Sequence, residues 1–394
     1  MELSDARQKL RDRLEDESVT DAKIDGYLND AAKEMARAFD WPWLAREFHF
    51  SLRAKQSTTD ATFTLDSRVV TIASAFGSTP FGHTLVTESG RVFRVINVDA
   101  SATKIHLDYP WPDATTSTED ADVLNDEIAM PRGVKSLRWV SLNDGSTVPV
   151  PITSVPQDEL RDNDVAAEGR PDIFATFRRV TLPPPLVAPT GATSGTGLTG
   201  IYKYWQTYWD PETGGESRLS PALTTATLSN NGYRLTPATR QDFGVRYYRS
   251  RSGGSTPYFL IEQTSPTDTY VDATADAHLG ERVTDDPSQL YVRFWPVPDQ
   301  TYQIAVGVNM LPPELSEDTD VLPIPEEDVS IWMLGAEAVA LRAVREWSAA
   351  QDTRNEFMRL INDMKQRHNE NRTGPWILAG RRERPRRIVI TTTS

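Results

Sequence analysis

The chain has 394 residues, 38% of them hydrophobic and 25% charged, which is room for two or three compact domains and excludes a peptide, a coiled coil or a mainly disordered polymer. Its 42 Lys and Arg against 56 Asp and Glu leave a formal charge of −14, so the average surface repels nucleic acid and anionic membranes, and any nucleic-acid contact must come from a local basic patch. The absence of cysteine excludes a disulfide framework, a thiolate metal site and a cysteine nucleophile.

The opening Met1-Glu2-Leu3-Ser4-Asp5 lacks the basic and apolar parts of a signal peptide, and no run of about eighteen apolar residues occurs, so a soluble protein made and assembled in cytoplasm is expected. Leu3, Leu10 and Leu14 fall near one face of a first helix. Thr20 or Asp21 caps a second, whose Ile24, Tyr27, Leu28, Ala31, Met35 and Phe39 follow helical spacing. Pro42 disfavours helical geometry at Trp41 and stops that helix, leaving the Trp41 and Trp43 indoles in need of a surface to bury against.

From about residue 48 to 130 the pattern turns to alternation. Thr62, Thr64, Val69 to Ile72, Arg91 to Ile96 and Lys104 to Leu107 are short β-branched runs separated by Gly, Asp and Ser, predicting a small antiparallel barrel or sandwich. A second β region covers Val134 to Val140 and Val148 to Val155. Asp158 to Arg161 reads as a short helix before Ile173 to Phe177. Pro183-Pro184-Pro185, Pro189 and the Gly/Thr/Ser stretch up to Gly200 read as a linker. Beyond it Tyr202 to Trp209, Arg246 to Ser250, Tyr258 to Glu262 and Thr269 to Asp272 make a set of short strands that suits a fibronectin type III or immunoglobulin-like β-sandwich.

After Gly280 the earlier β domain resumes, with Leu290 to Trp295, a turn at Pro296 to Gln300, and a return strand through Tyr302, Ile304, Val306 and Val308. The sandwich therefore reads as an insertion, which loop-closure entropy tolerates. Val329, Trp332, Met333, Ala336, Val339, Ala340, Ala343 and Trp347 mark one long amphipathic helix. Phe357, Leu360, Ile361 and Met364 mark another after an Asp352 cap.

The expected architecture is thus α+β and multidomain. Residues 1–47 and 326–371 supply the helices of one terminal bundle, with Trp41, Trp43, Trp332 and Trp347 in its core. Residues 48–182 and 286–325 make the β domain, 183–285 an inserted sandwich of which about 186–283 is expected to be separable and on the outside, and 372–394 a basic C-terminal arm.

Little in the chain suggests chemistry. Gly195 to Gly200 spells G-x-G-x-x-G, but it follows a proline-rich linker and opens an aromatic strand, which is a linker's context and not a dinucleotide fingerprint's. His49, His83, His106, His278 and His368 show no two-His zinc spacing, and no Walker A loop, EF-hand string or G-x-S-x-G elbow occurs. The chain is expected not to be an enzyme and to need no metal or cofactor. The aromatic strand Tyr202 to Trp209 reads as sandwich core before it reads as a sugar platform. The most unusual segment is the end, where Arg381, Arg382, Arg384, Arg386 and Arg387 precede Ile388, Val389 and Ile390. Guanidinium groups for a partner's carboxylates and an apolar run for an added strand suit a docking arm for another protein or a neighbouring subunit, disordered before assembly; the alternatives are a solvated disordered tail and, less in keeping with the charge of the remainder, a DNA-binding arm.

In this order the pieces resemble the adaptor, or head-to-tail connector, proteins of tailed bacteriophages and related viruses. The resemblance rests on Asp21 to Ala31 running into Ala36 to Leu44, on Arg170 to Ala175 with Leu290 to Asp299 as two halves of a β hairpin, and on Asp320 to Glu327 leading into an Ala-rich helix. Tyr202-Lys203-Tyr204, Gly214 to Ser217 and Tyr247 to Ser250 are similar to fibronectin-like modules inside virion proteins. The resemblance implies a homo-oligomeric ring, usually of twelve copies, in the virion neck. Such a ring binds the portal protein through helices and a C-terminal arm, offers a platform to a tail or tail-completion protein, and continues the DNA channel without a membrane partner. An acidic lumen would let DNA slide without sticking. The rival from another class is a carbohydrate- or receptor-binding virion protein that uses the aromatic sandwich, and a glycan-degrading enzyme would need two coupled carboxylates in a cleft.

Overall fold

The computed structural model describes residues 1–15, 19–73, 83–98, 103–143, 149–161, 163–165, 167–179, 182–210, 214–238, 243–265, 267–280, 282–283 and 289–372. The chain is mixed α+β and divides into two compact units, residues 44–317 and the two flanking segments, 1–43 with those from 318 on. The first segment carries helices α1 (Leu3–Leu14) and α2 (Asp21–Ala38). Thr20 takes the N-cap position of α2, its carbonyl accepting from the Lys23 and Ile24 amides.

In the β unit, β1 (Ala45–Leu52) is followed by β2 (Gln56–Phe63), β3 (Val69–Thr71), β4 (Thr84–Thr87), β5 (Val92–Val98), β6 (Lys104–Leu107) and β7 (Thr116–Leu124). Strands β2 to β7 close into a six-stranded antiparallel barrel in the order β2-β3-β6-β5-β4-β7. Period-2 alternation turns Phe63, Val70, Leu85, Phe93, Val95, Ile105, Leu107, Ala121 and Val123 into one core, while the polar residues between them face outward. Closure leaves no free sheet edge among the described residues of the barrel.

Next come β8 (Glu127–Ala129), β9 (Val134–Asn143), β10 (Val150–Pro151), β11 (Thr153–Ser154), the short helix α3 (Gln157–Arg161), β12 (Glu168–Gly169) and β13 (Ile173–Arg179). After a long excursion the chain returns as β21 (Gln289–Trp295), β22 (Val297–Pro298) and β23 (Tyr302–Met310), the intervening strands being named below. Strand β13 pairs antiparallel with β21 from Ile173↔Trp295 to Arg179↔Gln289. The chain therefore leaves at residue 179 and re-enters at 289 beside its point of departure. The sheets β1-β23-β9-β10 and β11-β13-β21-β8 bury one shared core that includes Leu52, Val140, Phe174, Val292, Phe294, Ile304 and Val306.

The excursion contains β14 (Thr190–Gly200), β15 (Lys203–Trp209), β16 (Leu223–Thr224), β17 (Leu228–Thr236), β18 (Gly244–Arg249), β19 (Tyr258–Gln263) and β20 (Tyr270–Asp272). They form the sheets β14-β17-β20 and β16-β15-β18-β19, which enclose Leu198, Tyr202, Tyr204, Tyr233, Leu235, Val245 and Tyr247. The Gly/Thr/Ser stretch expected to be linker is strand β14. Between Thr193↔Tyr233 and Leu198↔Asn231 it bulges, four of its residues facing one on β17, and Gly195 (φ +78°) and Gly197 (φ +141°) supply the backbone conformations this needs. Hence G-x-G-x-x-G marks a bulged edge strand and neither a nucleotide loop nor a linker.

Nor does the sandwich stand apart from the barrel. Tyr208 and Phe243 are buried in the barrel's own apolar cluster together with Leu182, and the Glu216 amide donates to Gln289 Oε1 on β21 at 2.6 Å. Apolar residues of the excursion therefore take part in the barrel core, an arrangement that weighs against the expected separability of this module.

The last segment brings α4 (Val329–Ala343) and α5 (Trp347–Arg372). Within this unit α4 packs on α1, α2 and α5, as the amphipathic stripes require. The single helix expected through Trp347 is instead two. Helix α4 ends at Ala343, and Arg345 takes a left-handed φ of +68°, so α5 starts at Trp347 and Asp352 lies inside it, not at its cap.

Candidate functional site

Of the four tryptophans assigned to the terminal core, Trp41 and Trp332 are fully buried. The Trp332 indole N–H donates to the Leu28 carbonyl at 2.9 Å and that of Trp41 to the Met35 carbonyl at 2.7 Å, so each large side chain satisfies its one donor on α2. Trp43 is half-buried and stacks on Trp41 with centroids 4.9 Å apart. Trp347 is a correction: the break after α4 resets the helical phase and leaves this indole 62% exposed.

The surface that the Trp41 and Trp43 pair requires is the His368 ring, whose edge meets them at centroid distances of 5.6 and 5.2 Å. Beside it Asp328, fully buried ahead of α4, accepts from Arg367 at 3.0 Å through Oδ1. Its Oδ2 lies 4.0 Å from His368 Nε2 and accepts no hydrogen bond among the described residues. His368 is thus a packed group and no isolated surface histidine. The spacing of histidines in the sequence holds no sign of this, because the two indoles lie more than three hundred positions upstream and Asp328 sits on another element. The cluster holds the last described turn of α5, and the arm begins just after it. The arm's own residues, Arg381, Arg382, Arg384, Arg386, Arg387, Ile388, Val389 and Ile390, lie outside the described residues.

In the β unit the main charged constellation stands at a cleft of about 540 Å³ between the barrel and β21. Asp126 and Glu127, adjacent and buried at the start of β8, face Arg293 (Nε to Asp126 Oδ2, 2.6 Å) and Arg94 (Nη2 to Glu127 Oε2, 3.2 Å). Burial first, and then the Asp126 charge, push the Glu127 carboxyl up to about 7 in spite of both arginines. Folded Glu127 is therefore protonated between the unfolded glutamate value of 4.5 and about 7, and stability falls as pH rises through that window. Glu127→Gln, which mimics the neutral form, should leave the melting temperature at pH 5 nearly unchanged and raise stability at pH 8 by about 3 kcal/mol. Melting curves across pH 5–8 check this, and an equal effect at both ends would show that Glu127 does not ionise in that range.

Two further networks rivet the sandwich. Arg249, 0% exposed, donates through Nη1 to Asp272 Oδ2 and to the Thr274 carbonyl, and through Nη2 to Asp276 Oδ1, each at 2.7 Å. The Tyr204 hydroxyl also donates to Asp272 Oδ2, at 2.8 Å. Burial, with the Asp272 charge second, raises the Tyr204 hydroxyl and keeps it protonated as a donor. Glu216 accepts from Thr207, Tyr248 and Arg246. Tyr202, Tyr204, Tyr208 and Trp209 are all buried, so the aromatic strand is core and presents no flat aromatic platform from these four rings.

Among the described residues no group of three or more His, Asp or Glu is arranged to hold a metal ion, and no helix is long and apolar enough to cross a membrane. A scan against known protein families and a search of curated proteins both return no match to this chain.

Proposed function

We propose that the chain is a structural subunit of a virion neck: a head-to-tail adaptor that assembles in the host cytoplasm into a ring, binds the portal protein, offers a platform to the tail and continues the DNA channel. One observation carries the reading. Helices from both ends of the chain belong to one unit, and the β unit, with its β13/β21 hairpin, is inserted between them. This is the order of parts in adaptor proteins. The net charge of −14 suits a channel that DNA traverses without sticking, and the arginine-rich end suits a carboxylate-bearing partner. In this reading the seven-strand excursion is a fibronectin-like module built into the adaptor's β domain.

The test mixes purified protein with portal rings and follows co-sedimentation and negative-stain images. Wild-type protein should co-sediment and appear as closed rings. Charge reversal at Arg384, Arg386 and Arg387 should abolish attachment and leave the melting curve unchanged, because the sequence assigns none of the three to a core. Normal attachment by a chain truncated after His368 would refute the docking role of the arm. A loss of the melting transition in the reversal variant would show that the arm folds back on its own subunit.

A further inference from the structure

Helices α2, α4 and α5 border a groove of about 900 Å³. Its floor is apolar: Gly335, Ala338 and Phe357 are buried there, and the exposed Trp347 stands at one end. Gly335 keeps the floor low, since a Cβ at that position would come within 2.6 Å of the Phe357 ring. The rim is basic, with Lys33, Arg37, Arg342 and Arg354 against Asp30 and Glu34, and Arg354 already engages Glu34 at 2.7 Å. Arg37 and Arg342 complement the C-terminal ends of α2 and α4, and among the described residues neither meets a carboxylate. Two exposed guanidinium groups and an exposed indole around an apolar floor are the composition of an interface core with a charged rim.

The same helix, α4, also borders a second cleft of about 580 Å³, shared with α1. There Asp5, Asp12 and Glu326 outnumber Lys9 and Arg13, around Val329 and Met333. Arg13 is spoken for by Glu337 at 2.9 Å. At about 100° per residue, positions 335, 338, 339 and 342 and positions 329, 330 and 333 fall on roughly opposite faces of α4. One unit thus bears a basic-rimmed groove on one side and an acidic cleft on the other. Contacts between unlike surfaces on opposite sides of a subunit are head-to-tail, and they close into rings when the rotation permits.

We infer that the groove formed by α2, α4 and α5 receives the acidic α1/α4 face of a second copy of this chain, with Trp347 seated against the neighbour and Arg37 and Arg342 meeting its carboxylates. The inference rests on the ring reading above and specifies how neighbouring copies join. An overall charge of −14 strengthens the match, because a basic rim is complementary to the average surface of its own chain.

The native chain has no cysteine, which gives a clean background for thiol crosslinking of the full-length protein. Gln351→Cys labels the groove and Ser330→Cys the acidic cleft, both at exposed positions. With a short bis-maleimide the double variant should give a ladder of covalent multimers, and each single variant should stay monomeric on a denaturing gel. Arg37→Glu with Arg342→Glu, added to the double-cysteine chain, should abolish the ladder while the protein keeps a cooperative melt, lowered by a few degrees because each arginine complements a helix C-terminus. Closed rings in micrographs without a ladder would overturn the groove contact and leave the ring standing. A ladder without closed rings would overturn the ring and leave the contact. Multimers from Gln351→Cys alone would mean groove meeting groove and would overturn the head-to-tail arrangement, as would a chain that never leaves the monomer.

Discussion

Replacement of Arg249 by methionine is expected to lower the stability of the β unit by about 3–5 kcal/mol, the cost typical of removing one partner of a buried ion pair. Arg249 and Asp272 are both 0% exposed, on strands of opposite sheets, and their contact ties the two sheets together. Loss of the guanidinium strands the Asp272 carboxylate where water cannot reach it. The Tyr204 hydroxyl and the Thr274 amide, which also donate to that carboxylate, cannot offset a full charge. The penalty belongs to the orphaned charge more than to the lost attraction. Arg249→Met combined with Asp272→Asn should therefore recover much of the loss, which a double-mutant cycle in urea would measure. Additive effects of the two substitutions would show that the pair is not coupled and that the damage is one of packing.

How far the sequence exposed this fold depends on the range of the signal. Period-2 alternation in Val69 to Ile72, Arg91 to Ile96 and Lys104 to Leu107 located barrel strands because one face is buried and the other wet. Strand β7 is harder to see, because Thr116 to Leu124 carries Glu119, Asp120 and Asp122 around the two side chains it gives to the barrel core, Ala121 and Val123. Strand β14 looks like a linker in the sequence because its Gly/Thr/Ser composition has almost no apolar content. As an edge strand it is held by backbone hydrogen bonds to β17 and buries only Leu198. Helical spacing carries Trp347 into the core stripe of α4 because no glycine or proline announces the stop at Val344 and Arg345. The candidate site shows the same division. The need of Trp41 and Trp43 for a packing surface could be read locally. The answer, His368 with Asp328 beside it, is a tertiary pairing for which a single sequence carries no mark.

Excision of residues 183–285 with a short bridging linker is expected to yield a protein that does not reach the native fold, in contrast to what the flanking prolines suggest. Phe243, 1% exposed, and Tyr208 leave the barrel cluster in that deletion, and Leu182 loses its cover. Removing two buried aromatic side chains costs about 3–6 kcal/mol of apolar burial. The deletion also removes the Glu216 amide that donates to Gln289, so that buried side chain keeps only its bond to the Met130 carbonyl and loses the partner for its oxygen. Against a net stability of about 5–15 kcal/mol for a domain, losses of this size are enough to leave the barrel molten. Dye binding to exposed apolar surface and loss of a cooperative melt should report it. Phe243→Ala in the full-length chain separates the cause from the mere act of cutting. It should cost about 3–5 kcal/mol by itself, the range for emptying a buried aromatic site. An excised chain that melts cooperatively at the wild-type temperature would show that the barrel closes its core without the sandwich, and the prolines at 183–185 would then mark a true module boundary after all.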